Sequence, residues 1–218
     1  MSFSFELFRE RIDRIANRIR EFGGEVQELI IKDPATKDQI QSVENKLGVL
    51  LPESFKYVLL NFSAEFSFRW YLPDNFELPY EYRGVFSGRV YWNLNKIVEL
   101  DEERRGWIDH VFPDPEDNYD KVWHQKLAFL EVGNGDYFAF DLSKQTEYPI
   151  VYLSHDDGNG HGYTLGHNFI AFIDNWSRIG FAGPEDWQWI PFVLTRESGI
   201  VPESDLAHEL RDFLDINI

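Results

Sequence analysis

The chain has 218 residues and a formal net charge of −17, from 38 Asp+Glu against 21 Lys+Arg. It contains no cysteine, which excludes disulfides, thiolate metal ligands and a cysteine nucleophile. Hydrophobic residues make up 43% of the chain and can fill a sizeable core without cross-links, whereas no stretch approaches the roughly 18 uninterrupted apolar residues of a membrane span. We therefore expect a cytoplasmic protein without a signal peptide.

The first predicted element is an amphipathic helix within residues 1–24. Its apolar residues recur at spacings of three and four, which places them on one face: Phe8, Ile12, Ile15, Ile19 and Phe22. Arginines cover the remaining surface, but Glu and Asp alternate with them, so the pattern favours a solvated helix face over a nucleic-acid site. Gly23 and Gly24 end the helix.

A helix–loop–helix unit follows. The tetrad Thr36–Gln39 has the pattern of a capping box, and the helix that it begins is predicted to end at Gly48. Pro52 is well placed in the first turn of the next helix, whose buried side is predicted to contain Phe55 and Leu59.

From Phe66 onward, short aromatic and β-branched runs predict strands at 66–71, 85–92, 127–132, 137–142 and 150–153. The dipeptide Asn134-Gly135 favours a hairpin between two of them. Two more helices are predicted, at about 168–179 and from Ser204. The expected fold is a single α+β domain, residues 25–218, with a central, mostly antiparallel sheet flanked by helices and preceded by the helix of residues 1–24.

We predict no catalytic residue, no metal site and no cofactor. The loop at 154–167 holds His155, Asp156, Asp157, His161 and His167, but their spacing matches neither a zincin nor an EF-hand, so ion binding there stays open. Nucleophile-elbow and Walker-loop motifs are absent from the sequence. A carboxylate-pair hydrolase stays a third possibility, although any one pair among 38 acidic residues is weak support.

The negative charge is concentrated in the second part of the chain. Residues 1–98 contain 13 Lys+Arg and 14 Asp+Glu, a net charge of −1, whereas residues 99–218 contain 8 and 24, a net charge of −16. Such a field repels nucleic-acid phosphates and anionic lipids and attracts basic partners. We therefore expect no direct binding to nucleic acid or to a membrane, with simple solubility as the alternative reason for the charge.

The segment at 183–193 contains two tryptophans beside two carboxylates. Trp187 and Trp189 flank Gln188 and follow Glu185 and Asp186. Exposed tryptophan next to carboxylates is typical of an interface hot spot for a basic partner. The alternative is that both indoles close one end of the core.

Two separated segments, SVENKLGVLLPESFKYVLLNFSAEF and LAFLEVGNGDYFAFDLS, together resemble the SUKH superfamily, the bacterial toxin-immunity proteins related to the yeast cell-wall-assembly regulator. The residues that match its motifs in order are Glu44, Leu47, Gly48, Leu51, Pro52, Tyr57, Gly133, Gly135, Asp136 and Asp141. Residues 62–64 replace the glycine that family members have after the position of Asn61. The resemblance is strongest over residues 36–180.

The resemblance implies an α+β protein without catalytic activity whose role is to bind another protein. Bacterial members neutralise a toxin domain, often a nuclease, so we expect a basic cognate toxin as partner; a regulatory scaffold that binds cellular proteins is the alternative. Oligomeric state is not predicted. The candidate partner-binding residues, chosen for charge and aromaticity, are Asp109, Asp114, Glu116, Asp117, Asp120, Asp156, Asp157, Trp187 and Trp189.

Overall fold

The computed structural model describes residues 3–27, 29–144 and 148–216. Its helices are α1 (Phe5–Glu21), α2 (Lys37–Leu47), α3 (Glu53–Asn61), α4 (Ile97–His110), α5 (Phe169–Ser177), α6 (Asp186–Trp189) and α7 (Asp205–Leu214). Its strands are β1 (Glu25–Val26), β2 (Ile30–Ile31), β3 (Glu65–Tyr71), β4 (Ser87–Asn93), β5 (Lys126–Glu131), β6 (Tyr137–Asp141), β7 (Ile150–Leu153) and β8 (Thr164–Gly166). Among these helices, none has the length and apolarity that crossing a membrane requires.

Helix α1 packs into the same hydrophobic core as the rest of the chain. Its apolar face is buried along its whole length, through Phe8, Ile12, Ile15 and Ile19. Arg11 Nη1 donates to the Asp174 carboxylate at 2.9 Å and joins α1 to α5. The predicted amphipathic helix is therefore a structural part of the core.

The capping box predicted before α2 is present. The Thr36 hydroxyl accepts the Gln39 backbone N–H, and the Gln39 side chain accepts the Thr36 backbone N–H. Gly48 ends α2 with a φ of +71°, in the left-handed region that glycine adopts freely. Pro52 stands at the N-cap of α3, one position before the first turn in which the sequence pattern placed it.

The α+β class and the antiparallel strand pairing are confirmed. In the first sheet, β3 pairs with β4 along one edge and with β1 and β2 along the other. The second sheet has the order β5-β6-β7-β8. The strands thus lie in two sheets where the sequence predicts one central sheet. Helix α4 lies between β4 and β5 in the chain, so these consecutive strands do not form a hairpin.

The second sheet is buried on both faces, because successive side chains of a strand point to opposite sides. Phe138 and Phe140 of β6 face the main core, whereas Tyr137 and Ala139 face a second apolar cluster. Helix α4 and the segment 112–123 supply the other side of this second cluster. This packing holds the segment 112–123 against the outer face of the second sheet.

Strand register places two loops at the same end of the second sheet. Tyr137 pairs with Glu131 of β5 on one side and with Leu153 of β7 on the other. The β5–β6 loop, residues 132–136, and the β7–β8 loop, residues 154–163, therefore begin side by side. This end of the sheet carries several of the candidate binding residues.

Candidate partner-binding surface

The β5–β6 loop is shaped by its glycines and by Asn134. Gly133 and Gly135 have φ values of +107° and +102°, which side-chain-bearing residues rarely adopt. The Asn134 side-chain carbonyl accepts the Asp136 N–H at 2.9 Å. Its amide group donates to Asp136 Oδ2 at 3.0 Å and to Glu185 Oε2 at 2.9 Å. Asn134 therefore ties the hairpin to the distant segment that begins α6.

Asp136 is buried and connects the β5–β6 loop to the β7–β8 loop. Its Oδ1 accepts the backbone N–H of His155 at 2.8 Å and lies 2.7 Å from Nδ1 of the same residue. Its Oδ2 accepts the Tyr152 hydroxyl at 2.7 Å. Burial and the neighbouring Asp136 charge raise the pKa of Tyr152, so the hydroxyl stays a donor at neutral pH.

The ligand atoms of Asp136, His155 and Asp156 lie within 4.8 Å of one another, close enough to surround a cation. Both oxygens of Asp136 already accept hydrogen bonds from protein groups, however. A cation would have to displace those donors before Asp136 could act as a ligand. The arrangement is accounted for by hydrogen bonding, which holds the loop that His155 begins.

Tyr119 and His161 join the segment 112–123 to the β7–β8 loop. Their rings stack at 3.7 Å with an angle of 11°. The Tyr119 hydroxyl donates to the Ser154 carbonyl at 2.6 Å and accepts the Asp157 N–H at 3.0 Å. His161 Nδ1 accepts the Ser154 N–H at 3.0 Å, which leaves Nε2 to donate to the Tyr119 carbonyl at 3.1 Å. Burial lowers the pKa of His161, in agreement with this neutral tautomer.

Three of the candidate acids in the segment 112–123 also shape it. The Asp117 carboxylate accepts the N–H groups of Tyr119 and Asp120, and these bonds lower its pKa. Asp114 accepts the Glu116 N–H, and Asp120 accepts the Asp114 N–H. These three carboxylates therefore stabilise local turns of the segment.

Two other candidate acids have carboxylates that no described group binds. Asp109, in the last turn of α4, and Glu116 are exposed. Within the described part of the chain, neither carboxylate takes part in a hydrogen bond or an ion pair. Both carboxylates can therefore interact with a partner, and replacing them breaks no hydrogen bond or ion pair of their side chains among the described residues.

Asp156 and Asp157 are exposed on the β7–β8 loop. The Asp156 carboxylate accepts the Ser154 hydroxyl at 2.9 Å. Asp157 adopts a φ of +62°, a conformation that Asp tolerates better than most residues. Tyr119 and His161 thus bring this acidic pair next to the acidic segment 112–123.

The two tryptophans of α6 have opposite environments. Trp187 is 47% exposed and packs against Phe86, which is 46% exposed, with ring centroids 5.7 Å apart. Trp189 is 0% exposed and packs against Tyr152 at 5.1 Å, so its prediction as a binding anchor is wrong. Residues two apart on a helix do not share a face, which is why the pair divides between surface and core.

The start of α6 adds more negative charge to this region. Burial raises the pKa of Glu185, as do the charges of Asp136, Asp186 and Asp156. Asp186 also accepts the Gly160 N–H at 2.8 Å, which links α6 to the β7–β8 loop. Carboxylates from three separate chain segments are therefore close enough to repel one another, and a cationic group placed among them would be attracted.

We call this region the acidic surface. It comprises exposed and half-buried carboxylates on the linked segments and in the last turn of α4, whose Trp107 ring lies 5.3 Å from that of His155, together with one aromatic side chain: Asp109, Asp114, Glu116, Asp117, Asp120, Asp156, Asp157, Glu185, Asp186 and Trp187. Sequence patterns do not reveal Tyr119, Asn134 and His161, which hold it together. Their partners lie far away along the chain, so no local spacing signals these roles.

The residues that carried the SUKH resemblance have structural positions. Glu44 is buried and accepts the Leu51 N–H at 2.9 Å, which fixes the turn between α2 and α3. Tyr57 is half-exposed and stacks on Phe5 of α1. Asp141 accepts Lys126 Nζ at 3.1 Å and the Ser143 N–H at 3.0 Å, and so closes the end of β6.

Comparison with known proteins identifies the family. No curated protein matches the chain. The model of the SMI1 / KNR4 family (SUKH-1) matches residues 34–175, which is more than half of the chain and runs from the start of α2 into α5. Helix α1 and the segment with Trp187 lie outside the match. The chain belongs to the SMI1 / KNR4 family (SUKH-1).

Proposed function

We propose that this protein is an immunity protein that binds a basic toxin domain, such as a nuclease, in the cytoplasm and blocks it without catalysis. Membership of the SUKH family supports an immunity role in general. The acidic surface supports the choice of a basic partner, because complementary charge accelerates encounter and selects against acidic partners.

The observation that carries the proposal is how the acidic surface is built. Segments far apart in the chain are joined by bonds between Tyr119 and Ser154, between His155 and Asp136, and between Asn134 and Glu185. The joined segments bring several carboxylates together: burial raises the pKa of Glu185, and the charges of Asp136, Asp186 and Asp156 raise it further. Solubility alone requires net charge, but it does not require carboxylates from distant chain segments to be held close together.

The exposed pair of Trp187 and Phe86 supplies an apolar component to the surface. Trp187 lies over Gly84, where an added Cβ would be 2.9 Å from its ring. A half-exposed tryptophan on a supporting glycine is well suited to fill a pocket on a partner or to pack under a guanidinium group. A complex of this kind is expected to bury about 1,200–2,000 Å².

Co-expression tests the proposed function directly. Toxin domains encoded beside the gene are expressed in a host with and without this protein, and survival is measured. Survival only in its presence supports immunity, whereas partners that are cellular regulators and not toxins support a scaffold role and contradict the proposal.

Titration of toxin activity separates binding from catalysis. A binding inhibitor abolishes activity at one equivalent and leaves the toxin intact. Inactivation at a small fraction of an equivalent would instead show that the protein turns over its target and would contradict the non-catalytic role.

A further inference from the structure

The outer face of the first sheet carries an unusual pair of like charges. Arg69 of β3 lies directly opposite Arg89 of β4. Side chains at such paired positions have Cβ atoms about 4.5–5.5 Å apart, and like charges there destabilise the sheet. The inner faces of both strands are buried, whereas Arg69 and Arg89 are half-buried on the opposite side.

Within the described residues, neither guanidinium forms an ion pair, although Arg89 lines a cavity together with Glu99, Glu103 and Glu131. No carboxylate of the described residues lies within 4.0 Å of Arg69 or Arg89. Arg89 Nη1 donates to the Val132 carbonyl at 3.4 Å, and the Arg69 guanidinium lies 4.8 Å from the centre of the Tyr71 ring. Since each guanidinium has five N–H donors, most donors of the pair are left for a ligand.

The electrostatics agree with this geometry. Burial lowers the pKa of Arg89, and the charge of Arg69 lowers it further, while the charge of Glu131, which lines the same cavity, opposes the effect. An oxyanion between the two guanidinium groups would convert their repulsion into attraction and accept paired hydrogen bonds from each. A ligand bound between the two guanidinium groups would offset the structural cost of the pair.

The arginine pair adjoins the acidic surface. Arg89 bonds to the carbonyl of Val132, the residue next to Gly133, while Asn134 of the same loop bonds to Glu185 of the acidic surface. The β5–β6 loop therefore has the arginine pair on one side and the acidic surface on the other. A partner with basic residues for the acidic surface would be held in one orientation by an acidic residue at the arginine pair.

We infer that Arg69 and Arg89 form a carboxylate-binding site that receives an acidic side chain of the protein partner. The identity of this occupant rests on the proposed function. Tyr71, which lies under the Arg69 guanidinium, and Tyr91 of β4 are on the same face of the sheet as the arginine pair. Their rings provide an apolar border to the site. Carboxylate fits the site because arginine binds it through two parallel hydrogen bonds.

A titration that needs no partner tests the site. Glutarate, which carries the carboxylate of a glutamate side chain, is added to ¹⁵N-labelled protein, and the arginine Nε–H signals are followed by NMR. We expect saturable shifts of Arg69 and Arg89, and binding about tenfold weaker in Arg69→Gln/Arg89→Gln. The matched control Arg83→Gln removes an exposed arginine that lies over Tyr80 and should titrate like the wild type.

Three outcomes would overturn the inference. One is equal shifts with sodium chloride at the same ionic strength, and another is unchanged glutarate binding in the double variant. The third is saturation by inorganic phosphate at lower concentration than by glutarate, which would assign the site to phosphate. Thermal melting confirms that the variants fold, and the loss of repulsion should keep the melting temperature equal or raise it.

A second experiment measures the affinity of the protein for its partner. Once a toxin complex has been isolated, Arg69→Gln/Arg89→Gln should weaken it at least tenfold more than Arg83→Gln, and equal affinities would exclude a partner carboxylate as the occupant. The carboxylate site at the arginine pair and the proposed immunity function can fail independently of each other. Glutarate binding requires no toxin, and the rescue of growth by this protein does not depend on the arginine pair being a carboxylate site.

Discussion

At the scale of single residues, side-chain environment depends on which face of an element a residue occupies. Trp187 and Trp189 have the same chemistry and nearly the same position in the sequence, yet one is half-exposed and the other is fully buried. The sequence indicates aromatic residues beside carboxylates. It does not predict a short helix at 186–189, because this segment is too brief for a periodic pattern, so the division of the pair between surface and core could not be predicted.

Trp187→Ala should weaken the partner complex with little effect on folding. Removing a tryptophan anchor at an interface typically costs about 2 kcal/mol or more of binding free energy. Its half-exposed ring contributes less to the core than a buried one. Isothermal titration of the complex measures the affinity, and Leu50→Ala, which truncates an exposed apolar side chain between α2 and α3, is the control. Equal losses in the two variants would contradict a role for Trp187.

His161 should make stability depend on pH. Its folded-state pKa is lowered from 6.5 by burial, so the unfolded chain binds the proton more readily. The contribution of His161 to the free energy of unfolding is therefore complete above about pH 6.5. It is lost as the pH falls through the lower folded-state pKa. Protonation also removes the Nδ1 acceptor of the buried Ser154 N–H.

His161→Ala tests this dependence. At about pH 7.5 the variant should be less stable by roughly 2 kcal/mol, because the Ser154 N–H loses its acceptor. The gap between variant and wild type should shrink at about pH 5.5, because the unfolded wild-type chain binds a proton at this histidine more readily than the folded chain does. Urea unfolding at both pH values measures the gap, with the exposed His167→Ala as control. A gap that does not change with pH would contradict the role of His161.

At the scale of elements, strong local signals were sufficient for most helices and strands. The apolar face of α1, the capping box and Gly48 cap of α2, and the start of α7 after Ser204 lie where the sequence predicts them, and β7 matches its predicted range. Strands β1 and β2 are two residues long each, too short for an alternating pattern. The hairpin at Asn134-Gly135 is present, with a loop over residues 132–136 in which Asn134 bonds to Asp136 and Glu185.

The division between residues 1–24 and the remainder stays a prediction, and truncation tests it. Deleting residues 1–24 removes Phe8, Ile12, Ile15 and Ile19 from the core, along with the bond from Arg11 to Asp174. Each buried apolar side chain contributes about 1.5–3 kcal/mol, so the loss is comparable to the whole stability of a typical domain.

We expect the truncated chain to lack a cooperative thermal transition in circular dichroism, whereas Leu7→Ala, on the exposed side of α1, should melt like the wild type. A truncated chain that melts cooperatively near the wild-type temperature would show that α1 is dispensable.

At the scale of the whole molecule, the uneven charge could be read from the sequence, but its arrangement could not. The sequence shows that residues 99–218 carry most of the net charge. Only the fold shows that segments around Glu116, Asp157 and Glu185 are joined through Tyr119, His161 and Asn134. Contacts across such sequence separations depend on tertiary packing, for which local patterns carry no information.

The central claim is that the acidic surface binds a basic partner. The measurement that tests it most directly compares the affinity of the isolated toxin for two double variants of this protein, Asp109→Lys/Glu116→Lys and Asp13→Lys/Asp74→Lys. All four side chains are exposed, and the two variants change the net charge equally. The claim predicts at least about tenfold weaker binding for the first variant, mostly through slower association, and near wild-type binding for the second. Equal effects of the two variants would contradict it.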